Sequence, residues 1–207
     1  MTPADNVLNL SIAEFVDATS ARTPTPGGGS VAAVVGALGV ALGRMTLNFS
    51  KGKKALAQHE QYHAELENRL EVACGTMMQL VSDDIAAYQA YQAATRLPDG
   101  PEKNLASAEA TQRAIDVPRR TTQASISLLE DMKELSGKCN NWLITDLLAA
   151  GALAVAAATL SDYNVRINLA NLPDSTAEEI RTASRDDVAR AKAIHAEIEE
   201  ATRDILP

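Results

Sequence analysis

An all-α fold follows from three features of this 207-residue chain. Apolar residues recur at the 3.6-residue helical period over long stretches. Alanine, leucine and valine dominate while the aromatics are two Phe, one Trp and four Tyr, so the core must come from closely packed helices rather than aromatic-filled sheets. No stretch reads better as strand than as helix, and only "YNVRINL" is ambiguous. Without repeats, low-complexity linkers or a domain boundary, residues 1–207 are expected to form one bundle of long antiparallel helices.

The elements follow in order. Ser11-Ile-Ala-Glu14 is a capping box that opens a short helix ending near Ala21. The stretch "TPTPGGGS", with Pro24, Pro26 and Gly27 to Gly29, is a loop feeding a helix over about 30–50. Gly36, Gly39 and Gly43 in that helix are read as packing glycines, each costing about 1 kcal/mol of helix propensity. After "SKGKK" a long helix is predicted over about 55–96, with Gly75 as a place for a kink and Leu66, Leu70, Met77, Val81 and Tyr88 as its buried stripe. Pro98, Gly100 and Pro101 break it. A helix over 101–116 should stop before Pro118, and a second should run from 118 to about 136, closed by Gly137. An apolar helix follows from about 141, continuing through "SDYNVRINLA", and a last polar helix covers roughly 176–204.

Composition excludes several classes of function. There are 19 Lys plus Arg against 27 Asp plus Glu, a formal charge of −8, which argues against a broad nucleic-acid surface. Cys74 and Cys139 form no ligand pattern and read as reduced, cytoplasmic thiols. The N-terminus "MTPADNVLNL" carries no secretory pattern. Residues 142–160 are long enough to span a membrane, but they are rich in alanine and contain Asp146, so a buried bundle helix is expected.

Four constellations could carry chemistry. His59-Glu60-Gln-Tyr-His63 matches the zincin pattern, with both imidazoles on one helix face. Catalytic zinc needs a third protein ligand and an open position. His195 is remote in the chain, and Asp84 lies about 30 Å along a straight helix. Two surface or interface histidines are therefore expected, and no metal site. Asp84 falls inside the apolar stripe, three residues after Val81 and four before Tyr88, whereas Asp83 points elsewhere. A carboxylate on a buried stripe must be paired, hydrogen-bonded or protonated; an ion pair inside the bundle and a functional role both satisfy this. Asp146, the only charge in its apolar helix, is a second such case. Lys51, Lys53 and Lys54 cluster at a helix junction, either as a solvated turn or as a site for carboxylates or phosphates. Asn164 and Asn168 share a helix face and present amides in one direction.

In this order, "PTPGGGSVAA", "GKK", "DDIAAYQAYQAATRLP", "AIDVP", "NNWLITD" and "NVRIN" resemble the cyclodeaminase/cyclohydrolase family of folate enzymes, from about residue 11 to 172. That family includes the cyclodeaminase half of formiminotransferase-cyclodeaminase and stand-alone methenyltetrahydrofolate cyclohydrolases. The resemblance implies an all-helical homodimer acting on tetrahydrofolate one-carbon adducts, with no cofactor beyond that substrate. By position, Pro26, Gly27, Gly28, Gly29 and Ser30 match the loop at the folate site. The lysines of "GKK" match a basic element suited to the glutamate tail, Asp84 the aspartate associated with catalysis, and Asn164 and Asn168 the paired asparagines. Arg119 and Arg120 stand where leucine commonly follows "VP", and Cys139-Asn140 replaces "GN". Asp146 is expected to pair with the guanidine-like edge of the pterin. It is 18 residues from Asn164, about 27 Å along a straight helix, so the two share a pocket only if the helix breaks or a second subunit contributes. With no formiminotransferase domain attached, cyclohydrolase is the expected activity. Formimidoyltetrahydrofolate cyclodeaminase and a silent folate-binding dimer are the alternatives.

Overall fold

The computed structural model describes residues 7–205; the opening residues 1–6, on which the absence of a secretory pattern was partly read, lie outside them. Among the described residues, six α-helices carry the fold. The capping box forms as the sequence predicts: Ser11 N–H donates to Glu14 Oε2 at 2.7 Å and Glu14 N–H donates back to Ser11 Oγ at 3.2 Å, starting α1 (Ile12–Ser20). The proline loop leads into α2 (Gly28–Asn48), which begins two residues earlier than expected because Gly28 and Gly29 are its first turn. A 3-10 turn (Lys54–His59) precedes α3 (Glu60–Thr95), which is continuous through Gly75.

The largest departure lies in α4 (Pro101–Ser136). It is one helix, with Pro118 in its interior and buried, where a break was predicted. The missing backbone bond has been replaced from another element, as described below. A 3-10 turn (Asn141–Leu143) opens α5 (Ile144–Ile167), so "YNVRIN" is helical, and a further 3-10 turn (Asn168–Asn171) leads to α6 (Asp174–Thr202).

α2, α3, α4 and α5 pack each against the next, with α2 closing on α5, and α6 lies against α4 and α5. The core is aliphatic: Leu66, Leu70, Met77 and Val81 of the α3 stripe meet Val40, Leu47, Leu128, Leu129 and Leu147. Tyr88 departs from that stripe and is 36 % exposed. α2 and the stretch from Asn141 to Ala170 are each long and apolar enough to cross a membrane, yet both pack inside this bundle. Both cysteines are free, and burial pushes the Cys139 thiol up to about 11.

Candidate active site

A cleft of about 370 Å³ opens where the start of α2 meets the middle of α3 and the end of α5, a size within the usual range for a small-molecule site. Its floor is Gly27, Gly28, Gly29 and Asp84; Tyr88 and Tyr91 form one wall, Ala114 and Val117 another, and Asn164 and Asn168 a third. Pro24 and Thr25 of the loop close one side.

Asp84 is bound to the start of α2. Ser30 Oγ–H donates to Asp84 Oδ2 at 2.6 Å, and the Ser30 backbone N–H donates to the same carboxyl. Gly27 caps α2 without a side-chain bond, so the carboxylate from α3 serves the unsatisfied donors there. This geometry explains Gly29: a Cβ on it would lie 2.0 Å from Asp84 Oδ1. Only a glycine lets the carboxylate come so close to the helix. No lysine, arginine or histidine forms an ion pair with Asp84 among the described residues; its partner there is Ser30. Burial raises its pKa from the ordinary carboxylate value, partly offset by the two bonds from Ser30.

Asn164 lies over the loop, its amide about van der Waals distance from where a Gly28 Cβ would be, 3.4 Å from Nδ2. Asn164 Nδ2 donates to the Leu160 carbonyl at 2.8 Å, and Asn168 Nδ2 to the Asn164 carbonyl at 2.7 Å. Asp83 does face away: it accepts from Arg120 Nη1 at 2.9 Å and from Gln79 Nε2 at 2.8 Å. Arg120, a departure from the family pattern, thus ties α4 to α3 one residue from Asp84.

The other expected site residues are elsewhere. Lys51, Lys53 and Lys54 follow the far end of α2, about 30 Å from its first turn. Lys51 pairs with Glu67 at 2.5 Å, and Lys53 and Lys54 are exposed. Asp146 is in the first turn of α5, where the helix dipole favours a carboxylate. That end lies beside the lysines, because Asn140 N–H donates to Ser50 Oγ at 2.9 Å. Within one chain, the cleft and the lysine–Asp146 region are at opposite ends of the bundle.

The histidines also differ from expectation. His59 ends the 3-10 turn and caps α3, and its ring lies beside that of His63, centroids 6.2 Å apart, but His63 is a core residue, 1 % exposed, with Nε2 2.8 Å from the Lys138 carbonyl. His195 packs on Gly151 of α5. Among the described residues no three His, Cys, Asp or Glu side chains are grouped to hold a metal ion. Sequence reasoning missed Tyr91, Ala114 and Val117 as cleft walls; the spacing Asp84, Tyr88, Tyr91 was the available signal, since it puts all three on one helix face.

Comparison with known proteins adds to this picture. Residues 11–202 match the family described as Formiminotransferase-cyclodeaminase. The chain is 30% identical over 204 residues to the methenyltetrahydrofolate cyclohydrolase of Methylorubrum extorquens, covering 94% of this chain and 97% of that one. It is 31% identical over 183 residues to the rat formimidoyltransferase-cyclodeaminase, covering 86% of this chain but only 34% of the rat protein. The crystal structure of formiminotetrahydrofolate cyclodeaminase from Thermotoga maritima superposes with a TM-score of 0.87 at 27% identity, covering 97% of this chain and 100% of that one.

Proposed function

The chain belongs to the formiminotransferase-cyclodeaminase family, and from that membership we propose that it hydrolyses 5,10-methenyltetrahydrofolate to 10-formyltetrahydrofolate. The observation that carries the proposal is the half-buried Asp84 carboxyl, hydrogen-bonded to Ser30 on the floor of a cleft of about 370 Å³. The bridging carbon of the substrate is an electrophilic amidinium. Water adds to it, and the resulting hydroxyl must lose a proton while N5 gains one as the C–N5 bond breaks. A single carboxyl of raised pKa can take the first proton and return it to N5, with one proton released overall. Asp84 is the group for that shuttle. The positive end of the α2 dipole suits the developing oxyanion or a folate carboxylate.

Cyclodeamination is the second reading, favoured by the near-complete superposition on the Thermotoga maritima cyclodeaminase. There N10 attacks the formimino carbon and ammonia leaves after protonation, again through one acid–base group. The overlap with the Methylorubrum extorquens cyclohydrolase over 97% of that protein's length favours hydrolysis.

The active form in this proposal is a cytoplasmic homodimer that needs no cofactor beyond its folate substrate. Among the exposed apolar side chains are Ile12 and Val16 of α1, Leu38 and Met45 of α2 with Phe49 beyond it, and Tyr163 and Ile167 of α5 with Trp142 before it. A two-fold axis across the α2–α5 face would set the start of α2 in one copy beside the end of α2 in the other. Lys53, Lys54 and Asp146 of a second copy would then reach the cleft, the lysines toward the glutamate tail and the carboxylate toward the pterin. The long helices alternate in direction in this reading, as the five-residue connection over 96–100 favours.

Parallel assays with methenyl- and formimino-tetrahydrofolate on wild-type and Asp84→Asn protein test the reading. Turnover of the methenyl adduct should exceed that of the formimino adduct and should fall on the order of 100-fold or more in the variant. Faster formimino turnover establishes the second reading. Tetrahydrofolate binding with no turnover of either adduct leaves a silent binding protein.

A further inference from the structure

The continuity of α4 through Pro118 has a consequence in the cleft. A proline inside a helix lacks the N–H that bonds the carbonyl four residues back, and its ring crowds that carbonyl. Here the carbonyl is that of Ala114, a residue lining the cleft. It is filled from another helix end: Asn168 Nδ2 donates to Ala114 O at 3.2 Å while donating to Asn164 O at 2.7 Å. Both partners are carbonyl oxygens, so the amide can meet them only through its NH2 group; a flipped Oδ1 would set acceptor against acceptor. Both amide protons are thereby committed. What Asn168 has left to offer a ligand is Oδ1.

Local bonding after the proline fits the same picture. Thr121 Oγ1 donates to Val117 O at 3.3 Å, Thr122 Oγ1 to Pro118 O at 3.2 Å, and Ser125 Oγ to Thr121 O at 2.8 Å. Three successive hydroxyls bonded back to carbonyls four residues earlier are the kind of bonding that bends helices. They satisfy the buried hydroxyls of the turn that follows the proline.

We propose that Pro118 is a positioning residue for the cleft: by withholding a backbone N–H, it frees the Ala114 carbonyl as the second anchor of Asn168 and fixes that side chain as a hydrogen-bond acceptor facing the ligand. With the Asp84 carboxylate on the floor, the cleft then presents acceptors from its floor and from one wall. The ligand group that matches Oδ1 is an N–H donor on the heterocycle, close to the carbon that Asp84 serves. This deepens the folate reading and rests on it for the identity of the ligand, but not for the anchoring itself.

Pro118→Ala restores the missing N–H and, as a better helix former, keeps α4 intact. In ligand-free protein, the side-chain amide protons of Asn168 should both be protected from solvent exchange by NMR, and in Pro118→Ala one of them should lose protection. The kcat/KM for methenyltetrahydrofolate should fall about 3- to 10-fold, mostly through KM, the scale of one neutral hydrogen bond. Adding Pro118→Ala to Asn168→Ala should cost nothing further, because the proline acts through the asparagine. An unchanged Asn168 signal in Pro118→Ala, or losses that multiply in the double variant, would overturn the proposal. If the wild type turns over neither folate adduct, the folate reading fails, and the exchange measurement still decides whether Pro118 positions Asn168.

Discussion

Asp84 is held by one residue, Ser30, through a hydroxyl and a backbone N–H, with no cation paired to it among the described residues. A carboxyl in that setting has opposite tendencies: burial disfavours its charge and the two donors favour it, and burial prevails. The sign of the linkage follows. Because the folded-state pKa is raised, the folded protein holds the proton more tightly than the unfolded chain. The contribution of this group to stability is present below the ordinary carboxylate value, about 3.9, and is lost as pH rises through the raised value. Asn in its place can still accept the Ser30 hydroxyl through Oδ1 and has no charge to bury. Asp84→Asn should therefore melt at the same temperature as wild type or higher near neutrality, with the advantage shrinking toward about pH 4. Melting curves across this range check it; a variant that loses ground as pH rises would mean that the fold stabilises the charged carboxylate.

At the level of elements, glycines with one identity do different jobs. In α2, a Cβ on Gly39 would lie 3.1 Å from the Ala150 carbonyl of α5, a backbone atom that moves only with its helix. On Gly36 and Gly43 the added carbon would meet the ends of Met77 and Met132 at 2.7 and 2.8 Å, side chains flexible enough to move. Gly75, midway along α3, has nothing within 4 Å of its would-be Cβ. Gly75→Ala should thus stabilise the protein by about 0.5–1 kcal/mol, through helix propensity alone, and leave turnover unchanged. Gly39→Ala should lower the melting temperature despite the same gain in propensity, because α2 and α5 must separate. Thermal melts of the pair decide it, and a stabilised Gly39→Ala would show that the helix contact is looser than the distances say.

The bundle carries the cleft at one end and the lysines with Asp146 at the other. Trp142 is the single tryptophan and is 89 % exposed in one chain, at the end that carries Asp146. If a second copy covers this face, its fluorescence should be that of a shielded indole at micromolar concentration and should shift to the red on dilution. The shared-site arrangement makes a sharper demand. Asp84→Asn and Asp146→Asn chains, each poorly active alone, should regain about a quarter of wild-type activity when co-expressed, since half the dimers are mixed and half of their sites intact. Activity no higher than the average of the two parents would place both residues in the service of their own chain, where about 27 Å of helix separates Asp146 from Asn164.

Much of this was legible in the sequence because helix formation is local. The 3.6-residue period marked the α3 stripe, the Ser11–Glu14 box marked the start of α1, and Asp84 stood out as a carboxylate on an apolar face. The glycine loop and the asparagine pair were also recognisable, from residue type and spacing. What meets what was not legible, because those contacts join residues far apart in sequence. Ser30 and Asp84 are 54 positions apart, as are Ala114 and Asn168. The lysines, adjacent in sequence order to the other motifs, were carried to the opposite end of the bundle by the length of α2. Pro118 shows the difference most clearly. The local rule that proline ends a helix is a statement about an unfilled carbonyl, and it lost its force here because a side chain from the end of α5 fills that carbonyl.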